Sequence, residues 1–258
     1  MIPPAAQPEC QRWIKRYRTA AACQTTAANH HWLASLATPV PALRATKVDR
    51  LEFDHVAGHH ARPRDLPMLA DLLGNLHRTA YATNLYRARL DRPHTTDTGL
   101  VIPDFLTPRH NALRALVDGG AVPDPAFTPD QAVAVLESAV NGPACIYKDS
   151  NPRNFLITPG GIVVIDFDVL TLAPAGYDLA KLIVTLVMTH GRLPETEIDQ
   201  ALTIYNAAFT HDTAAMEPRE LKPVTRAELM TWAEIHHIFT SPYLGRSGYR
   251  YSWRQSPL

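Results

Sequence analysis

The sequence predicts an α+β protein of two unequal lobes, a small β-rich lobe followed by a larger, mainly helical one. Three observations support this fold class. Short β-branched and aromatic runs surround one helical segment near the start of the chain. From Asp65 onward, apolar residues recur at helical spacing. Residues 155–158 and 162–165, around the turn residues 159–161, have the pattern of a β-hairpin set among helices.

The predicted small lobe covers residues 1–57 and ends before Gly58, where the strand pattern breaks. Its helix carries Trp32, Leu33 and Leu36 on one face. The predicted elements, in order, are a strand at 12–17, a helix at 25–36, and strands at 40–45 and 49–56.

The predicted large lobe covers residues 58–258. Asp65 is a favourable N-cap for its first helix, and Pro67 falls in the first turn, where proline is tolerated. The stretch 107–128 is rich in Pro and Asp, and we expect it to be a loop. Further helices are predicted at 129–140, 177–189, 195–209 and 225–240.

Asp149, Asn154 and Asp166 flank the predicted hairpin. If Thr158 pairs with Ile162, Asn154 lies opposite Asp166, so two oxygen-bearing side chains meet at one end of a rigid element. Mg²⁺ binds through hard oxygen ligands and usually takes one or two carboxylates together with substrate phosphates. Asp149 lies on the loop that enters the hairpin and is placed to accept a proton from a hydroxyl. These residues predict a phosphoryl-transfer site.

The same residues carry a resemblance to a known family. The segment 149–154, Asp-Ser-Asn-Pro-Arg-Asn, resembles the catalytic loop of the aminoglycoside phosphotransferase and choline kinase group, which has a protein-kinase-like fold. Residues 165–168, Ile-Asp-Phe-Asp, resemble its metal-binding motif, and 176–180, Gly-Tyr-Asp-Leu-Ala, resemble the start of the helix that follows. Three motifs in the expected order are far more specific than any one of them alone.

This resemblance implies a two-lobed protein-kinase-like fold and the use of ATP and Mg²⁺. By residue, it implies that Asp149 is the catalytic base and that Asn154 and Asp166 are metal ligands. Asp168 is either a second-metal ligand or an acid just behind the metal. Asp178 would brace the catalytic loop.

Two positions in the loop call for separate expectations. The family usually has His where this chain has Tyr147, and we expect the aromatic hydroxyl to replace a scaffold role. Lys148 is expected to be a solvent-exposed neighbour of the acid, with contact to a phosphate as the alternative.

The nucleotide side is predicted from the same resemblance. Lys15 corresponds to the strand lysine that holds the phosphates. Asn29 falls where the family has a glutamate that orients this lysine, so we expect Lys15 to be held less firmly. Backbone groups of Asp54 and Val56 would meet the adenine edge, and Phe53 would wall the pocket.

The glycine-rich hairpin that normally covers the phosphates is not found in the sequence before Lys15. Only fourteen residues precede Lys15, and the first glycine is Gly58. Three explanations stay open: the true start lies upstream, the lobe is reduced, or nucleotide binding has been lost.

Composition limits the other classes of function. With 25 basic and 25 acidic residues, the chain has no field to attract nucleic acid or an anionic membrane. Three scattered cysteines indicate reduced thiols and a cytoplasmic protein, and neither a signal peptide nor a membrane span is expected. Residues 235–258 contain no acid and interleave aromatics with Arg. That segment either packs on the large lobe or forms a homodimer contact, or it closes over an acceptor.

The predicted function is ATP-dependent transfer of a phosphoryl group to a hydroxyl of a small molecule, of the antibiotic, amino alcohol or sugar type. Mixed acids and arginines in residues 86–130 argue against a polycationic acceptor and favour an uncharged, aromatic or anionic one. The alternative is a non-catalytic, pseudokinase-like binding protein.

Overall fold

The computed structural model describes residues 11–122, 125–211 and 221–254. Its small lobe contains strand β1 (Arg12–Arg16), helix α1 (Ala20–Ser35), β2 (Leu43–Thr46) and β3 (Arg50–Asp54). The three strands form an antiparallel sheet in the order β1-β3-β2.

Helix α1 starts five residues earlier than predicted, because Thr19 caps it. The Thr19 hydroxyl accepts a hydrogen bond from the Ala22 N–H at 3.2 Å, which satisfies one of the free amides of the first turn. The helix packs against the inner face of the sheet, where the His30 and Phe53 rings lie 5.6 Å apart.

The elements of the large lobe are β4 (His59–His60), α2 (Leu66–Thr83), β5 (His94–Thr95), β6 (Val101–Ile102), α3 (Leu106–Asp118), α4 (Pro129–Ser138), β7 (Ala144–Tyr147), β8 (Phe155–Thr158), β9 (Gly161–Val164), β10 (Thr171–Pro174), α5 (Tyr177–His190), α6 (Glu195–Phe209) and α7 (Arg226–Thr240). Helix α5 forms the centre of the core, with nearly every side chain buried, and packs against α7, while α2 packs against α6. None of the described helices is long and apolar enough to cross a bilayer. The two-lobed α+β prediction is confirmed.

The loop predicted at 107–128 is wrong, because α3 occupies its first half. Pro108 falls in the first turn, where the missing N–H has no helical partner to lose. Asp104 accepts a hydrogen bond from the Thr107 N–H at 2.6 Å and supports this helix start. The helix ends at Asp118, before Gly119.

The predicted hairpin exists, but its register is wrong by one residue. Thr158 pairs with Gly161 across a two-residue turn, and Gly161 takes a φ of +119°, which favours glycine. The Ile165 N–H donates to the Asn154 carbonyl at 2.9 Å. Asn154 therefore lies opposite Ile165, not opposite Asp166.

Gly58 lies between β3 of the small lobe and β4. Because β4 pairs with β8, the chain enters the large lobe along the hairpin formed by β8 and β9. A Cβ at position 58 would lie 2.8 Å from the carbonyl oxygen of Ile157. Glycine is needed here because the two backbones approach too closely for any side chain.

Candidate active site

The catalytic loop between β7 and β8 is braced from below by Asp178. This carboxylate is fully buried at the start of α5, and its two oxygens accept hydrogen bonds from the backbone N–H groups of Lys148 and Ser150, both at 3.2 Å. Asp149 stands between those two anchored residues. The bracing role predicted for Asp178 matches this geometry.

Two of the candidate site residues have a left-handed backbone. Asp149 has a φ of +66° and Asp166 a φ of +57°. Residues other than glycine adopt this conformation only occasionally, Asp more often than most, and such positions cluster at functional sites.

The carboxylate of Asp149 lies in a polar network. Lys181 and the Tyr147 hydroxyl, the latter at 3.1 Å, both donate to Oδ1, and Asn154 Nδ2 donates to Oδ2 at 3.1 Å. Burial, the largest single influence, acts to raise the pKa of Asp149, but the charge and hydrogen bond of Lys181, the hydrogen bond of Tyr147 and the charge of Lys148 together outweigh it, so the pKa is lowered. Asp149 is therefore a carboxylate at neutral pH, held in one orientation.

Lys181 is a site residue that the sequence did not reveal. It lies on α5, one turn after Asp178, and is buried among apolar side chains. Its Nζ also donates to the Tyr147 hydroxyl at 2.7 Å. One charged residue within an otherwise apolar helical run was the available clue, because a buried charge needs a partner.

On the other side of the hairpin, Lys15 of the small lobe contacts both carboxylates of the predicted metal motif. Its Nζ lies 2.7 Å from an oxygen of Asp166 and 2.7 Å from an oxygen of Asp168. Asp168 Oδ1 also accepts from the Tyr17 hydroxyl at 3.3 Å and from Thr26 at 3.2 Å. Two carboxylates thus converge on a single position, which the Lys15 ammonium occupies.

These residues suit a magnesium ion. The amide group of Asn154 donates to the Asp149 backbone carbonyl at 2.8 Å, which fixes its orientation, and its oxygen accepts no hydrogen bond within the described part of the chain. With Asp166 and Asp168 it offers an oxygen-only donor set. Among the described residues, no three His, Cys, Asp or Glu side chains converge on a metal position, so substrate phosphates would have to complete the shell.

The expected role of Asn29 is wrong. Its side chain is buried and donates to the carbonyls of Phe167 at 2.9 Å and of Asp168 at 3.3 Å. It does not contact Lys15. Because an amide can donate to a carbonyl and a carboxylate cannot, Asn at this position ties α1 directly to the metal motif.

The expectation that Lys148 is solvent-exposed is wrong. The side chain is fully buried, with Nζ 4.1 Å from the centre of the Phe155 ring and no hydrogen-bond partner among the described residues. Burial lowers its pKa from 10.5 to about 8, although Asp178 acts in the opposite direction. It contacts the core and not a phosphate site.

On the nucleotide side, Phe53 is a buried core residue whose ring lies 5.8 Å from that of Phe167, so it does not wall an open pocket. The Asp54 N–H is used within the sheet, donating to the Ala42 carbonyl at 3.0 Å. The Val56 N–H makes no hydrogen bond to a described residue.

Trp13 is the exposed aromatic residue on this side. Trp13 and Lys15 are two residues apart on β1 and pair with Phe53 and Leu51 of β3, so all four side chains lie on the same face of the sheet, and the Trp13 ring lies 5.8 Å from that of Phe53. The Trp13 side chain is 47% exposed. An indole beside Lys15 can cover a planar base, a role that the sequence did not suggest.

The C-terminal segment packs on the large lobe. The N–H groups of Arg250 and Tyr251 donate to the Met188 carbonyl, and Trp253 and Arg254 donate to Glu234 on α7. The segment also reaches the catalytic loop, where Asn151 donates to the Tyr249 hydroxyl at 2.8 Å. Residues 255–258 lie outside the described residues.

Comparison with known proteins identifies the family. The model of the phosphotransferase enzyme family (APH) matches residues 1–218. The chain belongs to the phosphotransferase enzyme family. The chain is thus a small-molecule phosphotransferase, an enzyme class in which a hydroxyl accepts the phosphoryl group. No curated protein sequence matches the chain.

Solved structures share the fold of this phosphotransferase at low sequence identity. An ethanolamine kinase from Plasmodium vivax is 14% identical with a TM-score of 0.57, covering 91% of this chain and 71% of its own. A choline kinase from Streptococcus pneumoniae is 13% identical with a TM-score of 0.55, covering 92% of this chain and 79% of its own. An aminoglycoside phosphotransferase from Streptomyces rimosus, solved with ADP and streptomycin, is 15% identical with a TM-score of 0.53, covering 88% of this chain and 86% of its own.

Proposed function

We propose that this phosphotransferase moves the γ-phosphate of ATP, with Mg²⁺, to a hydroxyl of a small molecule. The observation that carries the proposal is the convergence of two groups on one hairpin. At its entrance stands an ionised, oriented Asp149, and beyond its second strand Asp166 and Asp168 meet Lys15. Phosphoryl transfer needs these two components, one for the acceptor and one for the phosphates.

Asp149 would receive the acceptor. Its Oδ1 is occupied by Lys181 and Tyr147, while Oδ2 has one donor, Asn154, and room for another. The acceptor hydroxyl would donate to Oδ2, and its oxygen would form a bond to the γ-phosphorus while the bond to the β,γ-bridging oxygen breaks. Its proton passes to Asp149, and ADP leaves. Because the pKa of Asp149 is low, the residue mainly orients the hydroxyl and takes the proton late.

Lys15 and the three oxygen-bearing side chains would receive the nucleotide phosphates. Asn154, Asp166 and Asp168 would hold Mg²⁺, which neutralises charge on the phosphates when it is bound. Lys15 would turn from the carboxylates to the phosphates, as its flexible stem allows. Trp13 and the Val56 N–H are the groups placed to meet the base.

Asp149→Asn tests the proposal. We would incubate the protein with Mg·ATP and a panel of hydroxyl compounds, and follow ADP formation and the mass of the product. The wild type should phosphorylate at least one compound, and the variant should be slower by about 10²–10⁴-fold, the usual contribution of a general base. Asp130→Asn, a change at an exposed position on α4, is the matched control. Equal rates for Asp149→Asn and the wild type would reject the assignment.

The alternative is a protein that binds without catalysis. One observation favours it: among the described residues no strand pairs with the outer edge of β1, where a phosphate-covering hairpin would lie. The distinction is measurable as a thermal shift with Mg·ATP. Stabilisation without any ADP formation would support binding alone.

We retain a cytoplasmic location as part of the proposal, since the thiols of Cys23 and Cys145 are both free and buried.

A further inference from the structure

Arg109 on α3 lies in an aromatic cage next to the catalytic loop. Its guanidinium carbon is 4.3 Å from the ring centre of Phe105, 5.1 Å from that of Tyr147 and 5.4 Å from that of Tyr177. It donates to the Phe105 carbonyl at 3.0 Å and to the Thr171 hydroxyl at 3.3 Å. These contacts hold the side chain in place but use only two of its five N–H donors.

No carboxylate among the described residues forms an ion pair with Arg109. The acids of the surrounding region are occupied elsewhere: Asp91 pairs with Arg89, Asp130 pairs with Arg114, and Asp104 caps α3. A half-buried guanidinium that has no ion-pair partner keeps its charge and its free N–H donors available to an anion from outside. The cage therefore holds a fixed positive charge that the described chain does not balance.

Tyr147 connects this charge to the proposed catalytic base. Its ring faces Arg109 and its hydroxyl donates to Asp149. The negative charge of Asp149 is itself balanced by Lys181. Asp149, Lys181 and Arg109 together thus carry one net positive charge, and only the Tyr147 side chain separates Arg109 from the Asp149 carboxylate.

We propose that the acceptor carries an anionic group, a carboxylate or a phosphate, which Arg109 binds through the outer edge of its guanidinium. The planar fork of arginine matches both groups. A cationic alcohol would place its ammonium beside an unbalanced cation, so amino alcohols and polycationic antibiotics are excluded as good acceptors. This inference rests on the proposed function for the identity of the reacting group, and on the cage for the charge.

The test uses three matched probes: meta-(hydroxymethyl)benzoate, the corresponding benzylamine and the corresponding benzyl alcohol. Their dissociation constants would be measured by calorimetry with the full chain, with and without Mg²⁺ and a non-hydrolysable ATP analogue. The carboxylate should bind at least ten-fold more tightly than the other two. Arg109→Gln should abolish this preference, and Arg109→Lys should restore part of it because it keeps the charge without the fork.

Arg114→Gln is the control, since Arg114 lies on the same helix and pairs with Asp130 at the surface. Melting temperatures of all variants would show whether they are folded. If Arg109→Gln does not fold, Arg109→Lys still tests the inference. Equal or tighter binding of the amine, no saturable binding of the carboxylate, or an unchanged affinity in a folded Arg109 variant would overturn the inference.

The proposed function is judged separately, from ADP formation. Carboxylate binding that depends on Arg109, without phosphoryl transfer to any compound, would leave the anion site standing and reject the enzymatic proposal. Phosphoryl transfer only to alcohols that carry an amine would support the enzymatic proposal and reject the anion site.

Discussion

The ammonium of Lys181, on helix α5, donates a hydrogen bond to the carboxylate of Asp149, 32 residues earlier in the chain. The two charges balance each other next to the place where the acceptor would react. Lys181 is therefore a positioning residue for the proposed base, and it sets the pKa of that base.

Removing this charge should change the pH dependence of the reaction. In Lys181→Met, burial acts on Asp149 without the opposing ammonium, so the pKa of Asp149 rises. Because the reaction needs ionised Asp149, the acidic limb of kcat should move to higher pH, and kcat at neutral pH should fall while the KM for ATP changes little. Lys181→Arg should preserve the limb. An unmoved limb in Lys181→Met would reject the role.

Lys148→Met should stabilise the protein at neutral pH. Lowering the pKa of a lysine from 10.5 to about 8 corresponds to roughly 3 kcal/mol of penalty for burying the charged form. The penalty is present in full below pH 8. Between pH 8 and 10.5 the unfolded chain holds the proton and the folded protein does not, so stability should rise with pH in this window.

Urea unfolding at several pH values checks the Lys148 prediction. The wild type should gain stability from pH 8 to 10, and Lys148→Met should lack this gain and start from a higher value. Lys47→Met, an exposed lysine, should behave like the wild type. A less stable Lys148→Met variant with an unchanged pH slope would show that the buried lysine is compensated by its neighbours.

Asp178→Asn should loosen the catalytic loop. The substitution replaces one carboxylate oxygen with an NH₂ group that faces a backbone N–H, and it removes the buried negative charge near Lys148. Leaving a buried backbone N–H without an acceptor costs about 1–3 kcal/mol. Hydrogen exchange should speed up at the amides of Lys148 and Ser150 and remain unchanged in α2. Protected amides in the variant would count against the brace.

Trp13 should report nucleotide binding. It is the exposed indole beside Lys15, whereas Trp32 and Trp232 are buried. If the base stacks on Trp13, Mg·ADP should quench the tryptophan emission, and Trp13→Phe should bind more weakly by about 1 kcal/mol while losing the quench. The same quench in Trp13→Phe would place the base elsewhere.

Local spacing accounts for what could be predicted from the sequence. Asp149 and Asn154 are five residues apart and touch, because a short loop leaves few ways to arrange them. The hairpin was predicted with the wrong register, since the sequence does not show whether Gly161 belongs to the turn or to the strand. A shift of one residue changes which side chains face each other.

Contacts between distant parts of the chain could not be read from spacing. Asn29 reaches the Phe167 carbonyl across 138 residues, and Lys181 reaches Asp149 only because α5 packs beneath the loop. Arg109 was one of several arginines in a mixed segment. It became distinct only when the structure showed that the neighbouring acids are paired with other groups.

The contact of Lys15 with Asp166 and Asp168 also joins the two lobes. Lys15 belongs to the small lobe and both acids to the large one, so a nucleotide whose phosphates take this ammonium has to break a contact between the lobes. Opening would separate two partly exposed ion pairs, which salt weakens. Ionic strength should therefore set how often the cleft opens, and the rate at which a nucleotide enters should increase with salt although its phosphates are attracted less.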